Sequence, residues 1–122
     1  EEYREVNELI LQGRKLGSDV LIAEATDSKC YDTVVISKAA DAMLAMSGIE
    51  ASFVLAKNTQ GFISISARSR SKLNVQRIME ELGGGGHFNL AAAQIKDSTL
   101  SEAGEKLTEI VLNEIKEKEK EE

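Results

Sequence analysis

The chain has 122 residues, 42% of them apolar, and a net charge of −6, which suits one globular domain with its own core and excludes a disordered chain. No apolar run reaches the roughly 18 residues of a membrane span, and the acidic balance argues against wrapping long nucleic acid over the whole surface. The lone Cys30 can form no internal disulfide, which suits a reducing cytoplasm.

The acidic, amphipathic start EEYREVNELI is neither a signal nor a transit peptide and reads as a domain junction. Tyr3, Val6, Leu9, Ile10 and Leu16 recur at helical spacing, which predicts a first helix ended by Gly17. The run VLIAEA at residues 20–25 predicts a buried strand. Asp27, Ser28 and Asp32 mark a loop and a helix start. Residues 33–46 predict a helix with Ala39, Ala40, Met43 and Leu44 inward, closed by Gly48. Residues 52–57 and 62–68 predict two strands joined through Asn58-Thr59-Gln60-Gly61, a good hairpin connection. Residues 74–82 predict a short helix, residues 83–86 break regular structure, and residues 91–95 predict a fourth strand. Thr99-Leu100-Ser101-Glu102 is a capping-box signature. The last helix follows it, with Leu100, Ala103, Leu107, Ile110, Val111 and Ile115 on the buried face and a Glu/Lys tail at 116–122 expected to fray. There is no proline and no internal repeat, so residues 1–122 read as a single domain. Its fold class is α/β, a mixed sheet of about four or five strands with helices packed on it.

Two features carry chemistry. In the second hairpin strand, Ile63, Ile65 and Ala67 point one way, and Ser64, Ser66 and Arg68 the other. Arg68 can give a phosphate two parallel charge-assisted hydrogen bonds, and Ser66 and Ser69 can add neutral donors. The same pattern also suits a solvated sheet face with an ordinary surface arginine. The second feature is Gly83-Gly84-Gly85-Gly86-His87. Four glycines are costly to order, so the run marks backbone that takes unusual dihedrals, approaches a ligand, or offers bare amides to an anion. His87 adds a ring for hydrogen bonding or stacking. A flexible loop after a helix end is the plainer reading. The run is not a P-loop, since no Gly-Lys-Ser/Thr follows. The 74–82 helix can return the chain to the same sheet edge, which would merge both features into one anion site. Residues 51–79 contain five basic side chains and no acidic one, which favours a small anion there. One His and one Cys make a poor metal-ligand set, Cys30 lacks an activating base, and no carboxylate pair is evident.

The strings Ser66-Ala67-Arg68-Ser69, Asn74-Val75-Gln76, residues 79–87 (MEELGGGGH) and Ala91-Ala92-Ala93-Gln94 resemble the DHH-associated domain, the C-terminal half of DHH-family phosphoesterases. The extended string is most similar to membrane-anchored bacterial cyclic-di-AMP phosphodiesterases. The resemblance implies a piece of a larger enzyme. A DHH domain of the same chain would hold two Mn²⁺ by Asp and His ligands, and this half would bind substrate without holding metal. Carried over, phosphate and nucleotide contacts fall on Ser66, Arg68, Ser69, Gly83, Gly84, Gly85, Gly86 and His87, and no catalytic residue falls on this chain. The Asp-His-His tripeptide is absent, so hydrolysis by this chain alone is not expected. The resemblance also implies a cytoplasmic domain of a protein anchored in the bacterial membrane.

Three uses compete. A cyclic-dinucleotide hydrolase half would bind a dinucleotide or its linear product. An oligoribonuclease or exonuclease half would grip short oligonucleotides with affinity that grows with length and falls with salt. An appended domain like that of alanyl-tRNA synthetases would serve tRNA contact or homodimerisation, with the last helix as the dimer face.

Overall fold

The computed structural model describes residues 1–121. The elements run α1 (Glu2–Ile10), β1 (Gly13–Leu16), β2 (Val20–Glu24), α2 (Thr33–Leu44), β3 (Ala51–Lys57), β4 (Ile63–Ser69), α3 (Val75–Glu80), β5 (Gly85–His87), β6 (Leu90–Ile95) and α4 (Leu100–Glu121). The strands form one six-stranded sheet in the order β1-β2-β3-β4-β6-β5. Only β2 and β3 pair in parallel, across the α2 crossover; every other pair is antiparallel.

The class is the expected mixed α/β sheet, with more strands than the four or five expected. One added strand comes from the start of the chain. The first helix ends at Ile10, and Gly13–Leu16 turns into an edge strand, so Gly17 (φ 73°) serves the β1–β2 turn and not a helix end. The helical spacing of Leu16 was accidental, because a short amphipathic strand and a helix end share apolar positions. The other added strand, β5, lies within the glycine run. The last helix extends to Glu121, through the tail expected to fray, although none of residues 116–121 is buried. Glu122 lies outside the described residues.

Helices cover the sheet on both faces. Ile22, Phe53, Leu55, Ile63, Ile65 and Ala67 meet α3 and α4 in one core, while Ala23, Val54 and Ala56 meet α1 and α2 in another. Strands β3 and β4 are therefore buried on both faces, which fits the near-continuous apolar run of β3, whereas β4 is buried although its apolar and polar side chains alternate. Burying a side chain such as Phe53 or Ile65 is worth about 1.5–3 kcal/mol each, so the central strands are the rigid floor. The helix starts are fixed by Asp32, whose carboxylate accepts from the Val34 N–H at 2.8 Å, and by the reciprocal Thr99–Glu102 box at 3.0 and 3.1 Å.

The α1/α2 layer stops short. On β6, Ala91 and Ala93 are buried toward α3, whereas Leu90, Ala92 and Gln94 on the α2 side are exposed. The sheet face is thus roofed over β2–β4 and open over β6 and β5.

Candidate functional site

The register of the open face brings the two sequence features together. Ser66 pairs with Ala92, which pairs with Gly85; one row along, Arg68 pairs with Leu90, which pairs with His87. Directly paired residues share a face, and neighbouring strands lie about 4.8 Å apart. Arg68 and His87 therefore stand roughly 10 Å apart at the backbone on one side of the sheet. The floor between them is low, with a methyl at Ala92 and no side chain at Gly85. Leu90, 52% exposed, stands between the two polar groups.

Arg68 is not a solvated surface arginine. It is only 8% exposed, because α2 lies over it. Its Nε donates to Asp41 Oδ1 at 2.7 Å and its Nη1 donates to the Ala67 carbonyl at 3.0 Å. Nη2 makes no hydrogen bond among the described residues. Among the described residues no fully buried side-chain N or O lacks a partner, so Nη2 is not fully buried. The result is a guanidinium held on one side and offered on the other. Ser66 is also buried, its hydroxyl 3.2 Å from that of Ser37 on α2. Ser64, the next residue on this face of β4, is taken by Asn58 Nδ2 at 2.9 Å.

Ser69 lies on the opposite face from Arg68 and Ser66. Its hydroxyl donates to the Phe88 carbonyl at 3.2 Å, and its N–H donates to the Asn89 carbonyl at 3.0 Å. Asn89 Nδ2 returns bonds to the Ser69 and Arg70 carbonyls at 3.2 and 2.7 Å. This clamp ties the β5–β6 turn, and with it His87, to the end of β4.

The glycine run divides its work. Gly83 (φ 84°) ends α3 in a Schellman motif, with Gly84 N–H donating to the Met79 carbonyl at 2.8 Å and Gly83 N–H to the Glu80 carbonyl at 3.1 Å. Gly84 and Gly86 lie against β6. A Cβ on Gly84 would collide with the Ala92 carbonyl and the Ala93 backbone, and one on Gly86 would come within 2.5 Å of Ala91 Cα. The alanines of β6 are small for the same reason. Gly85 is different: a Cβ there would meet nothing within 4 Å. Packing does not demand its bareness, and it faces the open floor beside Ser66. The His87 ring is exposed and makes no hydrogen bond among the described residues. The run is thus partly a strand, with the outward backbone edge of β5 unpaired by the sheet.

Asp41, Ser37, Leu90 and Asn89 escaped the sequence reading. Ser37 and Asp41 share a helix face at i, i+4, a signal present in the sequence, but which strand they would meet depends on how α2 crosses the sheet.

A concavity of about 440 Å³ lies elsewhere, between the β1–β2 turn and the end of α4, and its rim holds Asp19, Glu50, Glu119 and Glu121 against Lys72 and Lys118. Its one backbone nest is filled, since the Glu50 carboxylate accepts from the N–H groups of Lys72 and Leu73 at 2.8 and 2.9 Å. Four carboxylates make it a poor home for a phosphodiester. Among the described residues no three His, Cys, Asp or Glu side chains converge to hold a metal. Among the described residues no helix is long and apolar enough to cross a membrane.

Residues 17–118 match the family described as the DHHA1 domain. The chain is 47% identical over 92 residues to the cyclic-di-AMP phosphodiesterase GdpP of Geobacillus thermodenitrificans, covering 75% of this chain and 14% of that protein. It is 49% identical over 86 residues to the cyclic-di-AMP phosphodiesterase PdeA of Listeria monocytogenes, covering 70% and 13%. The chain thus spans about a seventh of the length of these relatives. Among solved structures it is similar to an exopolyphosphatase-related protein from Bacteroides fragilis, with a TM-score of 0.78, 19% identity, and coverage of 92% of this chain and 34% of that one.

Proposed function

Because this chain belongs to the DHHA1 domain family, we propose that it is the substrate-binding half of a phosphodiesterase that hydrolyses cyclic di-AMP to the linear dinucleotide. In this reading a DHH half of the same parent chain supplies the two Mn²⁺ that activate water, and no step is routed through a metal on the present residues. The observation that carries it is the open row Arg68–Leu90–His87, with the Ser66–Ala92–Gly85 row beside it.

A phosphate laid on this floor meets the free edge of the Arg68 guanidinium, which is fixed before the ligand arrives. Preorganisation of this kind removes the rotamer cost of gripping a phosphate. The backbone at Gly85 and Gly86 lets the ligand approach the sheet closely. The His87 ring, free of internal partners, adapts to a second phosphate or a base. Leu90 gives an apolar platform between them, suited to the face of a ribose or purine. Ser69, Gly83 and Gly84 serve by holding the His87 turn in place. Relatives named as cyclic-di-AMP phosphodiesterases support the nucleotide identity.

Calorimetric titration tests this with cyclic di-AMP, its linear dinucleotide and a ten-base RNA at two salt concentrations. The expected result is dinucleotide binding that Arg68→Ala weakens, with no gain from the longer RNA. Tighter binding to RNA, with a steep salt dependence, would assign the face to an oligonucleotide-processing enzyme instead.

A further inference from the structure

We infer that Asp41 is a positioning residue for phosphate capture, acting through Arg68; this rests on the open face being the dinucleotide site.

The argument begins with register. Four residues of helix rise about 6 Å, and two residues of strand about 6.7 Å. A helix running alongside β4 in the same direction can therefore match its i, i+4 positions to alternate strand residues. Helix α2 does this: Ser37 meets Ser66 at 3.2 Å, and Asp41 meets Arg68 at 2.7 Å. The two polar pairs form a seam at the edge of the roof, where the open floor begins.

Asp41 determines which way the guanidinium faces. Of its five N–H groups, the Nε–H is given to Asp41 and one on Nη1 to the Ala67 carbonyl. Two anchors on a planar group fix its rotation about the Cδ–Nε axis. The two donors on Nη2 have no partner among the described residues, and Nη2 is not fully buried. Without Asp41 only the Ala67 contact remains, and the group can turn about it.

The opposite role for Asp41 would be that of a competitor. A carboxylate beside a phosphate site repels the ligand, so its removal would tighten binding. The exposures favour positioning. The Asp41 side chain is 62% exposed and that of Arg68 10%. A carboxylate so wet acts on a ligand through screened charge, whereas its direct hydrogen bond to a buried group keeps its directional force. The two roles predict affinity changes of opposite sign.

The test is titration of the whole chain with cyclic di-AMP and with the linear dinucleotide, using Asp41→Ala, Asp41→Asn, Arg68→Ala and the Arg68→Ala/Asp41→Ala double variant. Thermal melting checks that each is folded. Positioning predicts that Asp41→Ala weakens binding about tenfold and that Asp41→Asn loses less, because its carboxamide oxygen still accepts from Nε–H. It also predicts that Asp41→Ala changes nothing further once Arg68 is gone. The Arg68 Nε–H resonance is expected to exchange slowly in the parent chain and to be lost in Asp41→Ala. Equal or tighter binding by Asp41→Ala overturns the inference. So does an equal loss with and without Arg68, which would make Asp41 merely structural. If Arg68→Ala itself leaves binding unchanged, the dinucleotide reading of the face falls, and the inference falls with it.

Discussion

One face of the sheet has two halves that differ in every physical respect. Over β2 to β4 it is roofed by α1 and α2, and each polar side chain there is spoken for: Ser52 donates to the Ala40 carbonyl, Ser64 bonds Asn58, and Arg68 bonds Asp41. Over β6 and β5 it is bare, and Leu90, Ala92, Gln94 and His87 face outward. The polar groups of the roofed half stabilise the domain and are fixed. Those of the bare half are unsatisfied by the domain and free to serve something else. Arg68 stands on the border and does both, while His87, two strands away in the same row, is wholly on the free side. A site built this way has one rigid grip and one adaptable one.

Substitutions that break this contrast should do so in a definite order. The largest effect is expected at Gly84. Gly84→Ala drives a Cβ into the β6 backbone, which cannot yield without breaking the β5–β6 pairing, and the loss should be about 3 kcal/mol or more by chemical denaturation. Next comes Arg68→Ala, which should weaken dinucleotide binding roughly thirtyfold, about 2 kcal/mol for a charge-assisted pair, and should lower the melting temperature only modestly. His87→Ala and Gly85→Ala should sharpen the contrast from the free side. Both should melt within about 0.5 kcal/mol of the parent chain, since His87 is exposed and a Cβ on Gly85 meets nothing within 4 Å, yet each should weaken the dinucleotide several-fold in the same titration.

The smallest effect belongs to the roofed half, far from the floor. The Glu8 carboxylate is held below its ordinary range by hydrogen bonds from Lys29 and then Tyr31, which tie α1 to the loop before α2. A carboxylate whose pKa is lowered on folding adds stability above its ordinary range, and that stability is lost as pH falls through the lowered value. Glu8→Gln should therefore melt slightly lower than the parent at neutral pH, with the gap closing in acid and binding unchanged throughout. A binding defect in Glu8→Gln would show that the two halves are not independent.

Much of this arrangement was legible in the residues. The alternation from Ile63 to Arg68 sorted β4 into its two faces, and the helix starts at Asp32 and Thr99 are where the sequence placed them. The resemblance placed attention on the glycine run. What stayed hidden was long-range. Nothing local reveals that α2 crosses β4 in register, so the burial of Arg68 and its partner Asp41 could not be read. The glycines were legible as special but not as divided: Gly83 serves a helix end, Gly84 and Gly86 serve close approach, and Gly85 serves neither. Ser69 looked like a neighbour of Arg68 on the chain, yet the two-residue period of a strand sends it to the other face.

The central claim is that the open rows are the ligand floor, and amide chemical shifts during titration with cyclic di-AMP test it most directly. The account predicts shifts at Ser66, Arg68, Gly85, Gly86, His87, Leu90 and Ala92, with little change at Gly17, Ser18, Lys72 or Glu119. Shifts confined to that second group, around the groove beside the end of α4, would contradict it.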